Sequence, residues 1–198
     1  MRAGFWVCVV IAVAAVVRRL IALAYPAQSG AAQMVDLDRV FASHAVLTLA
    51  HIVPAMAFVL LAPFIVLRRG NAVFAERLLL PLGVVVAITG YAMSIDSIGG
   101  WIERSAVLFF DSLFLYCLVQ SWRYRHDRDR KRRWMMRSIG ILLGIATTRP
   151  VMGVFFATSA LTHLGPKTFF GIAFWIGFSI NTLIVELWLR STRRPHRA

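Results

Sequence analysis

The chain has 198 residues, 59% of them hydrophobic, and a mean hydropathy of +0.71, which is more apolar surface than a soluble domain of this length can bury. A water-soluble enzyme is therefore excluded. The formal net charge of +13 arises from 22 Lys and Arg against 9 Asp and Glu, and in so apolar a chain the placement of bases speaks to topology rather than to nucleic acid.

A helix that crosses a bilayer needs about 20 mostly apolar residues. Six windows meet that length, in chain order: Gly4 to Ala24, Val40 to Leu67, Leu78 to Ile95, Ser105 to Trp122, Ser138 to Thr158 and Thr168 to Leu189. The second is overlong and is expected to tilt. Charged, Gly or Pro residues punctuate the short loops, and no repeat or linker divides the chain. The sequence predicts an all-α, polytopic six-helix bundle forming one integral membrane domain over residues 1–198.

With the N-terminus inside, 16 of the 22 basic residues fall on cytoplasmic pieces, eight of them between Arg123 and Arg137. The positive-inside rule then places both termini in the cytoplasm of a bacterial inner membrane. The segment from Phe5 to Ala24 imitates a signal peptide, but Arg18-Arg19 interrupts the pattern before the small-residue site, so an uncleaved first helix is expected. The Arg123 to Arg137 stretch is expected to lie as a loop on anionic lipid headgroups, each base contributing about 1 kcal/mol.

Charges and histidines inside the windows carry the functional information, because each is expensive in lipid. In the first helix, Arg18 and Arg19 either snorkel to the outer interface or turn inward to neutralise haem propionates, a quinone or an anionic substrate. In the second, His44 and His51 are seven residues apart, nearly one face and about 10.5 Å along the axis, too far to hold one metal ion together. Pro54 removes a helical donor just beyond His51. Asp111 in the fourth helix and Arg149 in the fifth each lie 11 residues above the expected inner surface, so two straight antiparallel helices would bring them into an ion pair. His163, in the last outer loop, is placed to approach His44. Asn181 is expected to hydrogen-bond across helices. Glu186 precedes Arg190 by four residues, the favourable order for a helical ion pair, with Arg137 as a further partner.

Three stretches in the second half carry a family likeness: Arg133-Trp134-Met135-Met136-Arg137-Ser138, Thr147-Thr148-Arg149-Pro150, and Asn181 with Glu186. Strongest from Leu108 to Arg190, the chain resembles the bacterial integral membrane proteins designated domain of unknown function 2306. That resemblance implies a multi-helix membrane fold and no activity. Where the family usually has a histidine before the Trp-Met motif this chain has Lys131, and where it has His-Arg in an earlier loop this chain has Glu76-Arg77.

Three functions follow as expectations. A redox protein would hold haem b through His51 or His44, with His163 or a non-histidine residue opposite and Arg18 and Arg19 near the propionates, and would exchange electrons with quinone. A small-molecule transporter or receptor would use the mid-membrane charges and the proline-broken helices. A structural or assembly subunit would act through membrane partners. Haem iron aside, Cys8 and Cys117 supply no metal site or disulfide framework, and no Ser/His/Asp, HExxH or phosphate-loop signature supports hydrolase or nucleotide chemistry.

Overall fold

The computed structural model describes residues 2–25, 38, 39, 41–67, 72–162 and 166–192. Among these there are seven helices and no strand: α1 Arg2–Ala24, α2 Ala45–Leu67, α3 Ala72–Met93, α4 Gly100–Arg123, α5 Arg128–Leu142, α6 Gly144–Thr162 and α7 Pro166–Ser191. A 3₁₀ turn, Ser94–Asp96, closes α3. By length and composition α1, α2, α3, the continuous α5–α6 run and α7 are able to cross a membrane, and the 24-residue α4 packs among them against α3, α5 and α7. The chain is an all-α, multi-pass membrane bundle.

Its helices extend past their apolar windows, because charged residues at the ends stay helical where they find partners. α3 begins at Ala72 rather than Leu78 and so includes Glu76 and Arg77. The expected loop from Arg123 to Arg137 shrinks to a turn at Tyr124–Asp127. Asp127 caps α5 by accepting from the Arg130 N–H at 3.0 Å, which satisfies a donor that a helix start leaves open.

Most of the bases are thereby carried on a helix that docks against its neighbours. Lys131 pairs with Glu76 of α3. Arg132 donates to the carbonyls of Ile65 and Val66 at the end of α2 (3.3 and 3.1 Å), and Arg133 to that of Leu189 near the end of α7 (2.6 Å). Each fills a carbonyl that a terminating helix leaves without a partner. Arg137 joins Glu186 at 2.8 Å and stacks on Trp134, while Arg190 reaches the other Glu186 oxygen at 3.1 Å. Beneath this end lies the core, in which Phe58 of α2 meets Phe114 of α4 edge to face at 5.6 Å, flanked by the buried Leu79 and Leu118.

The fifth window is not one straight helix. The run breaks at Leu143, a single turn residue between α5 and α6. α5 packs along α4 and also touches α7 and α2, whereas α6 leaves α4 and lies against α7 and α1. Glycines permit that second packing: a Cβ on Gly177 would stand 2.6 Å from the Thr148 backbone nitrogen, and one on Gly144 2.9 Å from the Phe178 Cα. Such close approach of backbones is how helices associate without a hydrophobic driving force.

Candidate functional site

Where α6 diverges from α4, a cavity of about 240 Å³ opens in the half of the bundle away from the basic turn. All seven helices contribute to its wall, which is mainly apolar, with Ile52, Met56, Val107, Phe110 and Phe174 among the side chains. Polar groups enter at a few points, the usual constitution of a small-molecule site.

α2 and the turn residue that precedes it supply two histidines, His51 and His44. The ring of His51 approaches Thr89 of α3, Nδ1 to Oγ1, at 3.0 Å. The Thr89 Oγ1 also stands 2.7 and 3.0 Å from the carbonyls of Val85 and Val86; when its one proton goes to either carbonyl, it accepts from His51 Nδ1, the tautomer that leaves Nε2 as an acceptor. His44 sits at the rim, half exposed, with Ser43 Oγ 3.2 Å from Nδ1 and Asp96 Oδ2 3.7 Å from Nε2. Both histidines line the cavity.

α1 supplies Arg19, which is buried, and not Arg18, which is half exposed and absent from the cavity wall. Both bind Asp38: Arg19 Nη1 at 2.5 Å from Oδ1, Arg18 Nη2 at 3.1 Å from Oδ2. The Arg19 guanidinium also lies 3.9 Å over the Phe41 ring, and the Phe41 carbonyl accepts from the Thr48 hydroxyl at 3.1 Å. Asp38, absent from the sequence-based site, was open to discovery by a charge argument, since two adjacent arginines near an outer surface need an acid and few acids lie there.

α4 supplies Glu103 and Asp111. Glu103 Oε2 accepts from the Gly99 N–H at 2.5 Å. Asp111 lies flat against the α3 backbone at Gly90, where an added Cβ would stand 2.5 Å from Oδ2. No hydrogen bond reaches that buried Oδ2, and none leaves the buried Nε of Arg149 on α6. The predicted Asp111–Arg149 ion pair does not form: among the described residues no carboxylate stands within 4.0 Å of Arg149. Equal depth on two helices brings side chains together only if the helices run side by side, and the break at Leu143 turns α6 away from α4.

Asn181 is buried on α7 outside the cavity, its Nδ2 without a hydrogen-bond partner. Glu186 belongs to the ion-pair cluster at the basic end. His163 lies outside the described residues. Among those described, no group of three or more His, Cys, Asp or Glu side chains is arranged to hold a metal ion. Comparison with models of protein families, with curated proteins and with solved structures returns no match.

Proposed function

We propose that this is an inner-membrane receptor or carrier that binds a small molecule in the cavity, from the side opposite the basic turn. One observation carries the reading: the partly buried Asp111 and Arg149 border the same cavity, with no ion-pair partner for either among the described residues and with the buried atoms Oδ2 and Nε lacking hydrogen bonds. A buried polar group with no hydrogen bond costs about 1–3 kcal/mol, and a charge in a membrane interior costs more. A ligand that pairs with the two side chains where they border the cavity offsets the cost of holding their charges there. The basic turn lies at the cytoplasmic face against anionic headgroups, with both termini on that side, so the cavity opens to the outside.

The test is a thermal-unfolding screen of the purified chain in detergent against small membrane-permeant and polar molecules. A compound that raises the midpoint for the wild type should lose that effect in Asp111→Asn/Arg149→Gln. A stabilising compound that works equally on both proteins would move the binding site elsewhere. Reporters fused in the 123–137 segment and after Ala198 should both read cytoplasmic.

A haem b or quinone-linked redox protein is the second reading, favoured by His51 on the cavity wall, whose Nδ1 is engaged by Thr89 and whose Nε2 is the atom an axial ligand would offer to iron. Two features oppose haem. His44 is turned toward Asp96, and a cavity of about 240 Å³ compares with the roughly 150 Å³ that holds benzene, so a macrocycle does not fit without movement of the walls. An oxidised-minus-reduced spectrum of wild type beside His51→Ala separates the readings. A Soret band lost in the mutant would establish haem.

A further inference from the structure

The charges around the cavity are sorted by wall. α4 carries the acids Glu103 and Asp111, eight residues or about 12 Å apart along the helix, and among the described residues neither has a cation within ion-pair distance; a third lining acid, Asp96, stands in the turn between α3 and α4 beside His44. The bases stand on α1 and α6: Arg19, tied to Asp38, and Arg149, tied to nothing through Nε. Because Asp38 also serves Arg18, that side keeps a surplus of positive charge. α4 and α6 do not pack together over any length, and α7 bridges them. The cavity is therefore polarised, acidic toward α4 and basic toward α1 and α6, with apolar side chains between.

We infer that the cavity takes a small zwitterion with an apolar side group, the class of the apolar α-amino acids, and this rests on the ligand-binding reading above. An anion would satisfy Arg149 and leave Asp111 stranded. A cation would do the reverse, and an uncharged molecule would leave two opposite charges in a water-poor space, where the attraction forgone is large. A zwitterion meets both with its ammonium toward Asp111 and its carboxylate toward Arg149, while Ile52, Met56 and Phe174 accept the side group. The size agrees: about 240 Å³ exceeds the benzene-sized reference of roughly 150 Å³ by enough for a few more heavy atoms.

The experiment uses the full chain in detergent and measures the unfolding midpoint and its concentration dependence with L-leucine and L-phenylalanine. N-acetyl-leucine, which lacks the ammonium, leucinamide, which lacks the carboxylate, and a short-chain benzoquinone serve as comparators. The amino acids should stabilise the protein, and each one-charge analogue should bind at least about tenfold more weakly, because it leaves one buried charge unmet. In Arg149→Gln the advantage of leucine over leucinamide should vanish, and in Asp111→Asn its advantage over N-acetyl-leucine. The comparison of analogues runs on wild type alone, so a variant that fails to fold does not blunt it. Equal binding of leucine and either analogue overturns the inference. Stabilisation by the quinone with none by the amino acids overturns it and leaves the ligand-binding reading standing, whereas no shift with these compounds or with any in the wider screen overturns both.

Discussion

At the basic end Glu76, Arg132, Arg133, Arg137 and Glu186 all engage a neighbouring helix, whereas beyond Leu143 the charges of Asp111 and Arg149 face a cavity and one another's absence. The same residue types occupy both regions. What differs is whether a counter-group on an adjacent helix stands within reach. In the first region satisfied charges fix the register of α5 against α2, α3 and α7, which is a scaffold's work. In the second, unsatisfied charges in a concave space are what a ligand would complete.

The contrast can be broken most strongly at the contact that holds α6 in its diverging course. Gly177→Ala places a methyl 2.6 Å from the Thr148 nitrogen, and backbone cannot retreat as a side chain can. Overpacking of this kind should cost about 3 kcal/mol, read as a lower midpoint in detergent, and should abolish ligand-dependent stabilisation. Less severe is Glu186→Gln, which strands Arg137, a side chain only 18% exposed, beside a neutral amide. It should cost about 2 kcal/mol, and pairing it with Arg137→Gln should return part of the loss in a double-mutant cycle. The sharper test applies the same chemistry in the other half. Asp111→Asn removes a charge that has no partner, so the ligand-free protein should change by no more than about 0.5 kcal/mol or gain stability, the opposite of the Glu186 result. A loss of several kcal/mol would mean that Asp111 is structurally paired and the two halves are alike. Smallest of all, Arg128→Gln on the exposed face of α5 should stay within about 0.5 kcal/mol of wild type.

The helices were legible in the sequence because lipid demands long apolar runs, and that demand leaves an unmistakable pattern from Gly4 to Ala24 or from Thr168 to Leu189. Glu186 and Arg190 were legible as a pair because four residues is one helical turn. The break at Leu143 was not, since Gly140 to Gly144 is apolar throughout and hydropathy cannot distinguish a straight helix from a broken one. With the break went the position of Arg149: its depth followed from counting residues, but its direction depended on which neighbour α6 chose. Asp38 was within reach of charge counting but not of periodicity. It sits outside any periodic segment, and its meeting with Arg18 and Arg19 is a tertiary event that no local spacing encodes. The N-cap at Asp127 was obscured by the charge run behind it, whose lack of apolar periodicity reads as loop.

The single turn residue at Leu143 also has a consequence for biosynthesis. The segment Arg128–Thr158 is long and apolar enough to enter the membrane as one piece, so the insertion machinery meets α5 and α6 as a single segment. Arg149 then crosses into the bilayer interior at a cost of about 2.5–3.5 kcal/mol on the insertion scale, offset by the leucines, isoleucines and valines around it. Only when α7 follows from the ribosome do Gly144 and Thr148 meet the Phe178 and Gly177 backbone they pack against, and only then does the second half of the segment have a reason to swing away from α4. The cavity, to which α7 contributes Phe170, Phe174 and Phe178, is thus complete only once α7 has been made.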